Sequence, residues 1–290
     1  MPAKKTIKLA YPRVGAHISG AGDLSAIPLN AAVIGAECFQ FFSRPPQGGK
    51  ARPIPLKEAQ KFQAGLIKYG LEAYIHTPYF INLASANNRI YYGSINVIRE
   101  ELERGSQLGV KYLMTHLGSA KELGNTAGQK KVIEAIGKIL DGYRGSTQFL
   151  IEMSAGAGDI IGDTFEEIAK IIDSPQLKKY SIGICFDTAH GFASGYDLRD
   201  GRAVKDTFNK FDRIIGLKKL KLIHANDSQA DLASHKDRHE HIGKGKIGLA
   251  GFKALVAFAK KQKINLVLET PHQAGNQDLL KDIKILKSFR

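Results

Sequence analysis

Residues 182–190 read IGICFDTAH: a short apolar run, then an aspartate and, three residues on, a histidine. A run of this length, rich in β-branched and aromatic residues, reads as a buried strand. Asp187 would stand at its C-terminal end and His190 in the turn that follows. The pair suits a helix cap with a polar neighbour, but the spacing also lets both side chains reach one cluster from a strand-to-helix turn. One polar residue at a strand end decides nothing. Recurrence does.

Runs of the same kind lie at 14–19 (VGAHIS), 38–43 (CFQFFS), 72–79 (EAYIHTPY), 112–119 (YLMTHLGS), 149–156 (FLIEMSAG), 220–228 (LKLIHANDS) and 265–272 (NLVLETPH). Helical periodicity occupies the segments between. INVIREELERGSQLG (95–109) places Ile95, Ile98, Leu102 and Leu108 at helix spacing and stops at Gly109. DTFEEIAKIID (163–173) opens with Thr164 and Glu167 spaced as a capping box. Strands alternating with helices in this way predict an α/β chain, a single (β/α)8 TIM-barrel domain over 1–290. A doubly wound sheet is the alternative, but no G-x-G-x-x-G or Walker sequence follows the first strand or any other. In a barrel all strand C-termini share the face where active sites are built. The runs carry His17, His76, His116, Glu152, Asp187, His224 and Glu269 at or near those ends. So many ligand types at one face are hard to attribute to chance.

With 290 residues, 43% of them hydrophobic, and a mean hydropathy of −0.20, the chain reads as globular with a sizeable core. Its start, MPAKKTIKLAYPRVGAH, has no apolar h-region or small-residue cleavage site. No apolar run approaches the roughly 18 residues of a membrane span. A cytoplasmic protein that engages no membrane is expected, and Cys38 and Cys185, in apolar strand-like runs, suit buried reduced thiols. The 42 Lys+Arg against 28 Asp+Glu give a net charge of +14. A polyanionic partner explains that surplus through phosphate contacts, and a basic proteome or solubility explains it equally.

Glu152 and Glu269 sit in FLIEMS and NLVLET, apolar strands in which an unpaired carboxylate is costly to bury. Coordination to a cation removes that cost. His76, His116 and His224 taken singly read as core histidines as readily as ligands. In SHKDRHEHIGKGKIG (234–248), Asp237 and His239 alternate around Arg238, so extended backbone points both side chains the same way, towards one ion. Together the candidates are His76, His116, Glu152, Asp187, His190, His224, Asp237, His239 and Glu269. Imidazole with carboxylate is zinc or manganese chemistry rather than calcium chemistry. So many ligands exceed one tetrahedral site. Three dications would outweigh the four carboxylates by about two charges, a centre that attracts a phosphodiester and its transition state.

These stretches carry a specific resemblance. GICFDTAHGFASGYD (183–197) and NDSQADLASHKDRHEHIGKGKIG (226–248), with GAHIS, IHTPYFINLAS, HLGS and LET in order around them, resemble the signatures of the endonuclease IV family. That family comprises zinc-dependent apurinic/apyrimidinic endonucleases of DNA repair, and the resemblance spans Gly15 to Glu269. It implies a (β/α)8 barrel holding three zinc ions, with manganese the alternative at one site. His76 and His116 would hold one zinc, and Glu152 would bridge it to a second, which also takes Asp187, His224 and Glu269. His190, Asp237 and His239 would hold the third. The implied activity is hydrolysis of the phosphodiester 5′ to an abasic site in double-stranded DNA, leaving a 3′-hydroxyl and a 5′-deoxyribose phosphate. Removal of blocked 3′ ends accompanies it, and the chain would work as a monomer with no obligate protein partner. Glu152 would also position the attacking water. His235 and His241 are not carried over, and Asn226 and Asp227 either orient ligands or structure their loop.

The family's DNA-probing loop, usually with a tryptophan, is replaced by SRPPQGGKARP (43–53) in a chain without tryptophan. Arg44, Gln47 and Lys50 are the residues available to probe DNA there, and Tyr79 matches a family position near the lesion. Gln229 stands where a lysine is usual. A sugar isomerase on a similar barrel would use Glu152, Asp187, His224 and Glu269 for one metal, but it leaves the other five candidates without a task. A DNA-damage binder with a structural zinc cluster would call for cysteine-rich sites.

Overall fold

The computed structural model describes residues 11–20, 22–271 and 277–290. Most of the lysine-bearing start and His272, the last residue of the 265–272 run, lie outside them. Eight parallel strands close a barrel: β1 (Val14–His17), β2 (Cys38–Phe41), β3 (Glu72–His76), β4 (Tyr112–Thr115), β5 (Gln148–Glu152), β6 (Gly183–Asp187), β7 (Leu220–His224) and β8 (Asn265–Leu268). Each falls inside one of the apolar runs or overlaps it. Neighbours follow chain order, and the ring closes where Val14 of β1 pairs with Leu266 of β8. Closure excludes the doubly wound sheet. A two-stranded antiparallel ribbon, Asp227–Ser228 with His239–Glu240, stands apart from the barrel.

Helices fill the spacers: α1 (Ile27–Val33), α2 (Leu56–Tyr69), α3 (Asn88–Leu108), α4 (Asn125–Leu140), α5 (Phe165–Ile172), α6 (Thr188–Ala193), α7 (Gly201–Ile214), α8 (Gly248–Gln262) and α9 (Gln277–Ser288). Helix α3 begins two turns earlier than its periodicity indicates, at the Asn87 cap, whose side chain accepts from Arg89 N and Ile90 N. It ends at Gly109 with φ 71°, the left-handed residue expected there. The capping box of α5 forms only by half. Thr164 accepts from Glu167 N, but the Glu167 carboxylate turns to Gly162 N, Asn125 and Gln129.

Strand alternation sorts the side chains into two cores. Outward residues such as Phe39, Ile75, Leu113, Ile151, Phe186, Ile223 and Leu268 pack with the helices. Inward residues Cys38, Tyr74, Tyr112, Met114, Leu150, Cys185, Leu222 and Val267 form a separate cluster inside the barrel. Two residues on from most of these, on the same inward face, stand Gln40, His76, His116, Glu152, Asp187, His224 and Glu269. The pleat thus stacks a polar layer directly above an apolar one. On β1 the inward place below His17 is Gly15, where a Cβ would lie 1.6 Å from the Cys38 carbonyl oxygen. Only glycine lets β1 and β2 approach that closely. Among the described residues no helix is long and apolar enough to cross a membrane.

Candidate metal centre

The polar layer gathers three groups of potential ligands whose donor atoms lie within 4.8 Å of one another: His76, His116 and Glu152; Glu152, Asp187, His224 and Glu269; Asp187, His190 and His239. Glu152 belongs to the first two. Its carboxylate, fully buried, has Oε2 2.7 Å from His76 Nε2 and 3.7 Å from His116 Nε2, while Oε1 lies 2.8 Å from His224 Nδ1. Glu269 Oε2 lies 3.0 Å from that same His224 nitrogen.

The third group forms where α6 and the ribbon meet. His190 Nε2 and His239 Nε2 are 3.3 Å apart, and each lies 3.4 Å from an oxygen of Asp237. Asp187 Oδ2 is 3.7 Å from His239 Nε2 and 3.9 Å from His224 Nδ1, so Asp187 faces both the second group and the third. The family resemblance assigns it to the second alone. Asp237 is the outermost ligand, its side chain 52% exposed.

The imidazoles are aimed from behind. His76, His190 and His239 each turn Nδ1 towards a backbone carbonyl, of Thr77, Met153 and Glu269 respectively, and so present Nε2 to the cluster. Asp187 accepts from His190 N as the cap of α6 and from Asn226 Nδ2, while Asn226 Oδ1 accepts from Glu269 N. Asn226 therefore orients two candidate ligands. Asp227 instead accepts from the backbone of Ser228, Gly243, Gly245 and Ile247 and shapes the loop.

Burying carboxylates together is unfavourable unless positive charge lies between them. Burial pushes the Glu152 carboxyl up, but the imidazoles of His224, His116 and His76 outweigh it and hold it well below the usual range. The partial burial of Asp237 opposes its ionisation, yet His190 and His239 bring it to about 2. Burial disfavours the charged imidazole of His190, whereas Asp187, Asp237 and Glu152 raise it to about 10. His116 is lowered, chiefly by burial, and its Nδ1 is buried without a hydrogen-bond partner among the described residues.

The donor set fits divalent cations. Tetrahedral coordination at about 2.1 Å separates neighbouring donors by roughly 3.4 Å, close to the spacing of His190, His239 and Asp237. Imidazole and carboxylate without thiolate suit zinc or manganese, and both cysteines are free, with Cys38 and Cys185 in the apolar layer below.

Beside the cluster opens a cavity of about 990 Å³, lined by His17, Phe42, Lys50, Tyr79 and Glu269 among others. Tyr79 is 71% exposed at its rim and meets Phe42 edge to face at 5.2 Å. Gln47 and Lys50 are exposed on the 43–53 loop. Arg44 requires a correction. It is buried, with Nε on Glu101 and Nη2 on Glu100, both at 2.6 Å, so its guanidinium is committed to α3 and is not free to probe DNA. His241 is bound to Asp282 of α9, His235 is exposed on the loop, and Gln229 donates to the His239 carbonyl. The reading of the sequence missed Gln40, an amide inside CFQFF that contacts His224 and Glu269. Its signal was polarity on the inward face of an apolar strand.

A profile described as xylose isomerase-like TIM barrel matches residues 29–289. The chain is 37% identical over 280 residues to a probable endonuclease 4 of Chloroflexus aurantiacus, covering 96% of this chain and 98% of that one. Endonuclease IV from Thermus thermophilus superposes with a TM-score of 0.84 at 29% identity, covering 96% of this chain and 98% of that one. A D-tagatose 3-epimerase-like protein superposes with a TM-score of 0.72 over 96% of each chain, but at 19% identity this likeness shows the fold alone.

Proposed function

The chain belongs to the endonuclease IV family, and on that premise we propose that it is a DNA-repair endonuclease of the deoxyribonuclease IV type. Its substrate is the phosphodiester 5′ to an abasic site in double-stranded DNA, and its products are a 3′-hydroxyl and a 5′-deoxyribose phosphate. The same centre would remove blocked 3′ ends. Three zinc ions would be held by His76, His116 and Glu152, by Glu152, Asp187, His224 and Glu269, and by His190, Asp237 and His239, with Asp187 beside the last group as well. The observation that carries this reading is the convergence of those side chains, from the ends of six barrel strands, from α6 and from the ribbon and the segment leading into it, on one open face. Divalent cations bound there supply Lewis-acid polarisation of a phosphoryl oxygen and lower the pKa of water towards neutrality.

Glu152, buried where the first two groups meet, accepts a hydrogen bond from the attacking water and aims it at phosphorus. Asn226 keeps Asp187 and Glu269 from drifting as charge develops. Tyr79 offers an exposed ring for a displaced nucleotide, and Lys50 and Gln47 reach the backbone from the 43–53 loop. A nucleotide without its base is cheap to extrude, which favours abasic sites. The +14 surplus supplies phosphate affinity that weakens with salt. We further propose that the chain acts as one barrel domain, as a monomer in the cytoplasm. A sugar-isomerase reading leaves His76, His116, His190, Asp237 and His239 without a task.

The test is cleavage of a duplex oligonucleotide containing one abasic analogue, with and without a strong chelator, beside a sugar-isomerisation control. Cleavage lost to chelator and restored by zinc, with close to three zinc per chain, is expected. Isomerisation without cleavage would overturn the proposal.

A further inference from the structure

Strand β2 contributes no candidate ligand, yet Gln40 on its inward face is fully buried at the height of the cluster. The chemistry of its partners fixes which way its amide points. A carboxylate only accepts, so the atom 2.6 Å from Glu269 Oε1 is the amide nitrogen, which also lies 3.0 Å from His17 Nδ1. The amide oxygen then stands 2.7 Å from His224 Nε2. An amide oxygen only accepts, so His224 Nε2 carries a hydrogen. The other nitrogen, Nδ1, faces Glu152 and Glu269 at 2.8 and 3.0 Å, where a bound cation would take the place of the hydrogen those carboxylates otherwise accept.

This orientation is the reverse of its neighbours'. His76, His190 and His239 donate from Nδ1 to backbone carbonyls and present Nε2. The Nε2 of His224 is met instead by a side chain that reaches it across the barrel mouth, past β1 and β8 in the strand order. The position directly below Gln40 is the apolar layer's Cys38, so a purely packing role there calls for no amide.

We infer that Gln40 is a positioning residue of the metal centre, holding His224 in the tautomer that offers Nδ1 to a cation and holding the Glu269 carboxylate beside it. The inference rests on the metal reading proposed above. Two near-isosteric replacements separate its halves. Gln40→Met removes every polar contact. Gln40→Glu keeps an acceptor for His224 Nε2–H but places an acceptor against Glu269.

The test uses full-length, zinc-loaded protein labelled with 15N-histidine. It reads the nitrogen resonances of His224, zinc content, and zinc affinity by chelator competition, with thermal melts to verify folding. Wild type should show one His224 tautomer, protonated at Nε2 and metal-shifted at Nδ1. Gln40→Met should lose that single pattern and weaken the affected zinc by roughly 10–100-fold. Gln40→Glu should keep the His224 pattern and still bind that zinc more weakly. A loaded wild type beside Gln40→Met with unchanged affinity and unchanged tautomer overturns the role of Gln40 alone. Should Gln40→Met not fold, undiminished zinc affinity in Gln40→Glu overturns the grip on Glu269. A wild type that binds no zinc through these side chains overturns the centre itself, and this inference with it.

Discussion

Two layers of the barrel interior come from the same strands and face the same axis, one pleat apart, at a spacing of about 7 Å along each strand. The lower holds Cys38, Tyr74, Met114, Leu150, Cys185, Leu222 and Val267; the upper holds Gln40, His76, His116, Glu152, Asp187, His224 and Glu269. Both layers point inward from the same pleated strands, so position in the pleat does not dictate chemistry. What differs is the neighbour above. The lower layer is capped by the upper one and gains from apolar packing, whereas the upper layer opens to the mouth and can exchange water for ligand. One stack of side chains is therefore expected to divide stability from reactivity, so that a change in one half leaves the other's property nearly intact.

The largest effect is expected in the upper layer. Glu269→Gln should lower cleavage of the abasic oligonucleotide by at least about a thousandfold, roughly 4 kcal/mol in the barrier, with a melting temperature close to wild type. Near-normal rates would mean that Glu269 does not serve the centre. Next comes the lower layer. Leu150→Ala, at a fully buried site, should cost about 2–5 kcal/mol in denaturant unfolding. Its kcat at a temperature where it is folded should stay within a few-fold of wild type. A stable Leu150→Ala protein with a crippled kcat would erase the division between the layers.

Protonation sharpens the same contrast. His190 is raised to about 10, against burial, by Asp187, Asp237 and Glu152. In chelator-stripped protein its stabilisation should be complete below the ordinary histidine value of about 6.5 and fade as pH rises through about 10. The stripped melting temperature should thus fall from pH 7 to pH 10, and zinc-loaded protein, whose imidazoles are neutral on the metal, should lack that component. Asp237, brought to about 2, acts oppositely: its contribution is present above about 3.8 and is lost as pH falls through about 2. A flat stripped profile between pH 7 and 10 would contradict the charge balance drawn here. The smallest effect belongs to the rim. Lys50→Ala should reduce the salt slope of DNA binding by about one, with no change in melting temperature.

The contrast also explains what could be read beforehand. Seven of the nine candidate ligands stand at strand ends or just past them, and polar residues ending apolar runs are visible in one dimension. Asp237 and His239 came from local alternation, and the structure brings both to His190. Gln40 escaped notice because an amide is not among the usual zinc ligands, and its place in the centre lies in which atoms it meets across the barrel. Arg44 looked available because its partners, Glu100 and Glu101, lie 56 and 57 positions away on α3. That Asp187 looks towards two groups at once depends on how α6 leaves the sheet, a matter of angle rather than of order along the chain.

The closure of the ring between β1 and β8 also bears on the assembly of the centre. Gln40 and Glu269 stand 229 positions apart, and Glu269 takes its place only once the last strand slots between the first and the seventh. Without that strand the second group would lack one of its four donors, Glu269, and the ring would stay open between β1 and β7. The last barrel strand thus does two jobs at once, sealing the ring against the first strand and delivering the carboxylate that completes the second group of ligands.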